Sequence, residues 1–320
     1  MPREMLPDKL TQALRRQRYQ FVGKHSAVKK CRWLHESLVN GRVCYKQKFY
    51  GINSHRCLQM TPSLVNCTMR CVFCWRVQPD DIGVQWNETK MGLWDNPEFI
   101  VEECLRAQQK ILSGYNAQEF LDKKKYVEAQ SPKHVAISLA GEPTLYPHLG
   151  DLVHEFHKRE MTTFIVSNGT LPEALEKLDE EPEQLYVSVC APDEDTFRTV
   201  CRPQIPDAWS KLNKTLELLK SFSCPTVIRL TLVKQKNMKN VEKYAKLIEK
   251  ANPTYVEPKG FVFVGLSRLR LSFDNMPLYI EVHEFAEKLS KLTGYKLLDG
   301  CMESRVVLLS RLKKAIKIQP

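Results

Sequence analysis

The chain has 320 residues, 43% of them hydrophobic and 27% charged, which is enough to bury a large core without disulfides. It has no apolar signal-like segment at its N-terminus and no apolar run near the ~18 residues of a membrane span, so we expect a cytoplasmic protein with no membrane partner. The formal charge of +11 favours a polyanionic partner, although many basic proteins bind no nucleic acid.

The first third of the chain gives mixed signals. It is basic and reads as helical up to about residue 54, but residues 28–57 combine charged, aromatic and cysteine residues without periodicity, which predicts irregular structure around a ligand. Residues 96–113 begin with Asn followed by Pro and then show helical spacing, the pattern of a capped helix. The polar stretch 114–132, which contains three consecutive lysines, predicts an insertion or an exposed helix.

Beyond residue 133 the chain alternates between short apolar runs and amphipathic segments. The alternation predicts βαβ units and a parallel sheet, and the nearly continuous apolar runs indicate strands buried on both faces. Strands are predicted at 134–140, 162–168, 184–191, 226–233 and 254–264, and helices at 149–160, 171–178, 207–222, 240–251 and 278–292.

With an earlier apolar run that ends at Cys67, the alternating segments make about six units, fewer than the eight of a closed TIM barrel. The fold class we expect is α/β, as a partial (β/α)6 TIM-like barrel with an N-terminal cysteine-containing extension. The predicted bounds are 1–59 for the extension, 60–293 for the barrel and 294–320 for a basic C-terminal extension.

Eleven cysteines are many for a cytosolic protein, where clustered cysteines more often bind metal or act in catalysis than form disulfides. Cys67, Cys71 and Cys74 follow the first apolar run on one short loop. Three such thiolates can ligate three irons of a cubane cluster and leave the fourth iron open to a substrate. Structural zinc is the alternative, but it usually takes two CxxC pairs, and the sequence has only one.

This spacing, with Phe73 before the last cysteine, resembles the CxxxCxxC signature of the radical S-adenosylmethionine (SAM) superfamily. Two later motifs agree with the resemblance. LAGEPTLYP at 139–147 is similar to the superfamily's GGEP motif, with Ala140 in place of the first glycine, and VSNGT at 166–170 ends the next predicted strand. Both lie at the carboxyl ends of strands, where barrel active sites are built.

The resemblance implies a radical SAM barrel whose open iron binds SAM, which is cleaved to a 5′-deoxyadenosyl radical. It implies cofactor contacts for three side chains. Glu142 would orient the methionine ammonium through a charge-assisted contact, and Ser167 and Asn168 would approach the ribose or methionine part.

Three further cysteines, Cys31, Cys44 and Cys57, precede the loop with twelve residues between neighbours. The residues alone leave two interpretations open, a second metal site or small buried side chains. Together with CTMRCVFCWR ten residues later, this triplet resembles the tRNA 4-demethylwyosine synthase family. The segments FIVSNGT, CAPDEDTFRTVCRP, TLVKQKN and VEPKGFVFVG extend the resemblance over most of the chain.

The family resemblance implies two 4Fe–4S clusters, the SAM cluster on Cys67, Cys71 and Cys74 and an auxiliary one on Cys31, Cys44 and Cys57. It also implies a reaction in which N1-methylguanosine at position 37 of tRNA-Phe receives a two-carbon unit from pyruvate, closing the third ring of 4-demethylwyosine. Because few residues precede the first of these cysteines, we expect an external flavodoxin- or ferredoxin-like electron donor rather than a fused flavodoxin domain.

Pyruvate can be held in two ways, by the open iron of the auxiliary cluster or as a Schiff base on a lysine whose pKa is lowered. The candidate catalytic lysines are Lys46, two residues after Cys44, and Lys259, at the end of the sixth strand. In a chain with 48 Lys and Arg residues, each lysine taken singly is more readily a solvated charge or a phosphate contact.

The RNA would be bound through phosphate contacts, with the target base turned out of the anticodon loop. We expect Lys123–Lys125 and the loop with Arg268 and Arg270 to flank the barrel mouth. Trp75 either stacks on the base or packs over the cluster.

Two other functions are compatible with parts of the sequence. A radical SAM enzyme with another substrate, such as a protein activase, would share the cysteine loop but would not need a basic surface. A non-catalytic, metal-stabilised RNA-binding module would bind zinc and would leave the six strand–helix units unexplained.

Overall fold

The computed structural model describes residues 6–89 and 92–318, and in these ranges a single ten-stranded sheet forms the frame of the molecule. In spatial order the strands are β1 (Gln20–Val22), β2 (Ser26–Val28), β3 (Cys57–Thr61), β4 (His134–Ile137), β5 (Thr162–Ser167), β6 (Gln184–Ser188), β7 (Thr226–Leu232), β8 (Tyr255–Gly260), β10 (Val306–Ser310) and β9 (Lys296–Cys301). Strands β3 to β8 are all parallel, whereas β2 and β10 pair antiparallel with β3 and β8. The predicted six-stranded parallel barrel is confirmed.

Each of the parallel strands β3 to β8 is followed by at least one helix, in the order that a βαβ fold requires. Their bounds are α1 (Asp8–Arg16), α2 (Arg32–Val39), α3 (Tyr45–Tyr50), α4 (Pro97–Ser113), α5 (Lys123–Ala129), α6 (Leu149–His157), α7 (Pro172–Glu176), α8 (Glu194–Val200), α9 (Ala208–Leu218), α10 (Val241–Ala251) and α11 (Tyr279–Thr293). Helix α4 begins as its sequence predicts, because the Asn96 side chain accepts a hydrogen bond from the backbone N–H of Glu98. In residues 6–89 and 92–318, no helix is long and hydrophobic enough to cross a bilayer.

The terminal segments contribute more regular structure than their sequences indicate. The prediction of irregular structure at 28–57 is wrong, because α2 and α3 form there. Both helices are too short to show an amphipathic period, and their burial in the molecule stabilises them instead. The strands β1, β2, β9 and β10 also lie in the predicted terminal extensions, of which residues 1–5, 319 and 320 fall outside the described part.

The two faces of the parallel sheet carry different layers of the core. Successive side chains of a strand point to opposite faces, so Ile165 and Leu185 pack outward against the helices while Phe164 and Tyr186 point into the barrel. The inward layer is completed by α3, whose buried aromatic residues are Tyr45, Phe49 and Tyr50. Helix α3 therefore packs inside the barrel rather than around it.

The C-terminal segment holds α3 in this place. The backbone N–H of Ile318 donates to the carbonyl of Tyr50 at 2.8 Å, and Lys317 Nζ donates to the carbonyl of Phe49 at 2.9 Å. The backbone N–H of Ile316 donates to the Tyr255 hydroxyl of β8 at 2.7 Å. The last described residues thus link the inner helix to the sheet.

Gly141, after β4, allows the segment before the cysteine loop to approach the next strand closely. Its φ is +69°, and a Cβ atom there would collide with the carbonyl oxygens of Ser63 and Asn66. Two hydrogen bonds hold the two segments together. Glu142 N donates to the carbonyl of Asn66 at 2.7 Å, and Ser63 Oγ donates to the carbonyl of Glu142 at 2.7 Å.

We predict that Gly141→Ala destabilises the protein more than Gly83→Ala, by about 1–3 kcal/mol, because only Gly141 adds a collision to the conformational cost. Gly83 is a matched control, since its φ is +71° and a Cβ there meets no atom within 4 Å. Both variants bear the left-handed penalty of about 1–2 kcal/mol. Urea unfolding of the iron-free proteins measures both losses, and equal losses would contradict the collision.

Candidate active site

A cavity of about 730 Å³ occupies the inside of the barrel. The inward-facing side chains of the parallel strands form its walls, together with the cysteine loop and the segment 31–57. All six cysteines that the sequence singles out line this cavity: Cys31, Cys44, Cys57, Cys67, Cys71 and Cys74. Two groups of thiols that are separate in the sequence therefore face the same space.

The cysteine loop follows the carboxyl end of β3. Its backbone is tied to the end of α8, since Val72 N donates to the carbonyl of Val200 at 2.9 Å. Burial raises the pKa of the Cys67 thiol, and the nearby Glu142, Cys71 and Cys74 raise it further. The pKa of Cys71 is also raised, first by a hydrogen bond with Cys201 and then by burial. The three thiols share one electrostatic neighbourhood, as the ligands of one cluster must.

The upstream cysteines come together because each begins an element of structure. Cys31 and Cys44 occupy the N-cap positions of α2 and α3, and Cys57 is the first residue of β3. Burial raises the pKa of Cys44 to about 12, with Cys31 as the next cause. Burial raises the pKa of Cys57 as well, with Cys31 and Cys44 adding to it. These three thiols form a second donor set.

The two donor sets lie at opposite ends of β3, with Cys57 at its start and the cysteine loop after Thr61, a length of about 13 Å along the strand. Within the described residues, no three Cys, His, Asp or Glu side chains converge as ligands of one metal ion. A cubane does not require such convergence, because each thiolate binds a different iron. All eleven cysteines have free thiols, so disulfides do not compete for the sulfur atoms.

Glu142, Ser167 and Asn168 meet beside the cysteine loop. The buried Glu142 carboxylate accepts hydrogen bonds from Ser167 Oγ at 2.8 Å and from the backbone N–H of Asn168 at 2.7 Å. Burial raises its pKa, and the hydrogen bonds from Thr144, Asn168 and Ser167 oppose that rise. Asn168 Nδ2 donates to Thr68 Oγ1 at 2.8 Å and approaches Cys67 Sγ at 3.6 Å. The two motifs therefore form one hydrogen-bonded unit with the first cysteine of the loop.

The two candidate lysines differ in their surroundings. Lys46 Nζ is buried without a hydrogen-bond partner in the described part of the chain, and it lies 4.0 Å from the ring centroids of both Phe164 and Tyr186. Burial, and after it Arg229, lowers the pKa of Lys46 to about 7. Lys259 Nζ instead donates to the carbonyl of Ser304 at 2.7 Å, and burial lowers its pKa to about 8. Of the two lysines, Lys46 is the one whose amine has no hydrogen-bond partner in residues 6–89 and 92–318.

A buried charge pair at the wall of the same cavity, where Arg229 is a lining residue, was not identified from the sequence. Arg229 of β7 binds Glu257 of β8, directly opposite in the strand register, at 2.9 Å between Nη2 and Oε2. The hydroxyls of Tyr50 and Tyr186 donate to Glu257 Oε1 at 2.7 and 3.3 Å. The available signal was the presence of charged residues within two buried strands, Arg229 in TVIRLTL and Glu257, with Lys259, in YVEPKG.

Trp75 and Arg270 are both occupied by contacts within the chain. Lys29 Nζ and Arg76 Cζ each lie 5.0 Å from the Trp75 ring centroid. Arg270, which we expected to meet tRNA, instead binds the cysteine loop, with its guanidinium donating to the carbonyls of Val72 and Cys74 and pairing with Asp81. Arg268, two residues earlier, stays exposed. Arg270 is thus a structural clamp on the cysteine loop.

We predict that Arg270→Met weakens iron retention by the cysteine loop about 10–100-fold, the usual effect of losing a group that orients metal ligands. A Cys31/Cys44/Cys57 triple Ala background limits the measurement to the loop, and release of iron to a chelator after anaerobic reconstitution provides the readout. The exposed Arg268→Met is the control and should retain iron as the parent does. Equal release from both variants would show that Arg270 is not needed to hold the loop.

Comparisons with known sequences agree with these geometric findings. The radical SAM superfamily matches residues 61–248, and the wyosine base formation family matches residues 250–311. An S-adenosyl-L-methionine-dependent tRNA 4-demethylwyosine synthase of Pyrococcus abyssi is 54% identical over 96% of this chain and 90% of its own length. The enzyme of the same name from Methanocaldococcus jannaschii is 42% identical over 98% of this chain and 99% of its own.

A solved structure agrees as well. The structure of TYW1 with a lysine–pyruvate adduct bound is 40% identical and superposes with a TM-score of 0.87, covering 96% of this chain and 97% of that one. The matches extend over the barrel, the cysteine loop and both terminal segments. This chain therefore belongs to the radical SAM superfamily and, within it, to the tRNA 4-demethylwyosine synthase family.

Proposed function

We propose that this protein makes 4-demethylwyosine at position 37 of tRNA-Phe, by joining the N1-methylguanosine there to a two-carbon unit of pyruvate. SAM and a 4Fe–4S cluster supply the 5′-deoxyadenosyl radical that starts this reaction. One observation carries the proposal. One cavity is lined by both cysteine triplets and by Lys46, a buried lysine whose amine has no hydrogen-bond partner among the described residues, so a radical source and a carbonyl-binding group would share this space.

The SAM end of the cavity is assigned to the cysteine loop. Cys67, Cys71 and Cys74 would hold three irons of the SAM cluster, and the shared electrostatics of their thiols support this assignment. Glu142 would orient the methionine ammonium of SAM, since it is a buried carboxylate next to Cys67. Ser167 and Asn168 position this carboxylate through their hydrogen bonds to it.

The other end of the cavity is assigned to a second 4Fe–4S cluster on Cys31, Cys44 and Cys57. The support for this assignment is structural. These cysteines have twelve residues between neighbours in the sequence, but the starts of α2, α3 and β3 place them at one site. The backbone N–H groups of Trp33 and Leu34 bond to the Cys31 sulfur and lower its pKa, against the rise that burial causes. Such donors favour the thiolate form that a cluster needs.

Lys46 is assigned to pyruvate. Its Nζ would attack the keto carbon, and the two amine hydrogens would leave with the carbonyl oxygen as water, which gives an imine. The geometry favours Lys46 over Lys259 because no hydrogen bond in the described part of the chain has to be broken first. The rings of Phe164 and Tyr186 cover the amine and exclude water from the imine. The lysine–pyruvate adduct in the solved TYW1 structure supports this role.

The tRNA is assigned to the exposed basic residues around the cavity. Lys123 and Lys124 of α5 are exposed, and α5 packs against α2, whose N-cap residue is Cys31. Arg268 is exposed on the segment whose neighbour Leu266 donates its backbone N–H to the carbonyl of Trp75. We place the reaction in the cytoplasm, with a flavodoxin- or ferredoxin-like protein as the external electron donor.

The proposal predicts that Lys46→Met abolishes transfer of carbon from labelled pyruvate to tRNA, because no other amine forms the imine, while SAM cleavage persists. The assay uses anaerobically reconstituted protein, tRNA with N1-methylguanosine at position 37, SAM and a chemical reductant, with mass analysis of the digested nucleosides. Lys259→Met is the matched control and should keep transfer. Labelled product from Lys46→Met would exclude the imine role, and absence of product from the wild type would refute the proposed function.

The second cluster predicts an iron content of about eight per wild-type chain and about four in a Cys31/Cys44/Cys57 triple Ala variant, because each cubane holds four irons. A Cys104/Cys224 double Ala variant is the control, since neither thiol lines the cavity, and it should keep about eight. Iron and sulfide analysis after reconstitution gives the count. About four irons in the wild type would mean that the upstream cysteines hold no cluster.

A further inference from the structure

Arg229 presents an unused hydrogen-bond donor to the cavity. Its Nε and Nη2 donate to Glu257 Oε2 at 3.2 and 2.9 Å, and Nη2 also donates to the Tyr45 hydroxyl at 2.5 Å. Among residues 6–89 and 92–318, no group accepts a hydrogen bond from Nη1, although Arg229 lines the cavity wall. Half of a guanidinium fork is therefore free for a ligand.

The other half of the fork is rigidly held. Glu257 is fully buried, and its Oε1 already accepts from the hydroxyls of Tyr50 and Tyr186. Arg229 and Glu257 also stand opposite each other on adjacent parallel strands, so the backbone fixes their separation. A guanidinium held in this way keeps its direction when a ligand arrives, and little side-chain entropy is lost on binding.

Arg229 and Lys46 lie beside the same aromatic ring. The Arg229 Cζ atom is 4.4 Å from the Tyr186 ring centroid, and Lys46 Nζ is 4.0 Å from it. Both residues also line the same cavity, so a small molecule whose carbonyl carbon is bonded to Lys46 occupies the space that Arg229 borders. A 2-oxo acid carries its carboxylate on that carbon, and a guanidinium is the side chain whose geometry best matches a carboxylate.

Resting on the proposed function, we propose that Arg229 is a substrate-binding residue that holds the carboxylate of pyruvate through Nη1 while Lys46 holds the keto carbon. Arg229 then determines specificity, because a neutral ketone of the same size cannot pair with this charged donor as a carboxylate does. Glu257 is a positioning residue that keeps the fork in place. The substrate class selected by the site is a short 2-oxo acid.

The test compares two ketones of similar size, pyruvate and the neutral hydroxyacetone. Each is incubated with the anaerobic holoenzyme and cyanoborohydride, and mass spectrometry of the Lys46 peptide gives the concentration for half-maximal adduct. The wild type should prefer pyruvate. Arg229→Lys, which keeps the charge next to Glu257, and the double variant Arg229→Met/Glu257→Gln, which removes both charges, should need about 10–100-fold more pyruvate, the effect of losing one charged hydrogen bond.

Hydroxyacetone serves as the internal control for folding, because it should label wild type and both variants equally. The matched control Lys48→Met removes a cation of helix α3 that pairs with Asp299 outside the cavity lining, and it should leave the preference for pyruvate unchanged. Pyruvate preference that survives in both Arg229 variants would overturn the proposal and leave the Lys46 role intact.

A second measurement keeps the two proposals distinguishable. Equilibrium dialysis of labelled pyruvate with the Lys46→Met holoenzyme reports the carboxylate contact without the imine. Binding that weakens when Arg229→Lys is added supports the role of Arg229 in holding the carboxylate. Absence of an adduct in the wild type would refute the role of Lys46 alone and would leave this conclusion on Arg229 unaffected. Binding that is insensitive to Arg229→Lys overturns the carboxylate assignment.

Discussion

The site depends on how the inside of an open barrel is filled. Six parallel strands do not close on their own side chains as eight do, so their inward residues need another element to pack against. Helix α3 meets this need, with Tyr45, Phe49 and Tyr50 buried among the inward side chains of β5 to β8. Because Cys44 caps this helix and Lys46 lies in its first turn, the packing that fills the barrel also places a thiol and an amine in the cavity.

The interior charges follow the same requirement of burial. A buried ion is costly unless it is paired and hydrogen-bonded, and Glu257 meets this condition through Arg229, Tyr50 and Tyr186. Lys46 does not meet it, and burial lowers its pKa accordingly. Among the described residues, the cavity thus pairs the charge of Glu257 and leaves the amine of Lys46 without a hydrogen bond, a combination that is more typical of functional sites than of structural ones.

The cysteine loop is held by parts of the chain that are far from it in sequence. Gly141 lets the segment after β4 lie close to the segment before the cysteine loop. Asn168 contacts Cys67 and Thr68, and the Arg270 guanidinium donates hydrogen bonds to carbonyls of the loop. Each of these contacts comes from a different strand–helix unit of the barrel. Several units of the barrel therefore fix the positions of the thiols together, and loss of any one of these contacts is expected to displace the cysteine loop.

The barrel and the cysteine loop were predictable because both rest on local patterns. Short, nearly continuous apolar runs that alternate with amphipathic segments indicate the strands and helices. Three thiols within eight residues must lie close together in the folded chain. Helix α3 and the outer strands were not predictable, because tertiary packing stabilises them rather than periodicity. The sequence also left Lys46 and Lys259 as equals and assigned Arg270 to tRNA. Only the tertiary structure distinguishes Lys46 from Lys259 and shows that Arg270 holds the cysteine loop. The physical reason is that these features, like the Arg229–Glu257 pair, arise from contacts between residues distant in sequence, which no local pattern encodes.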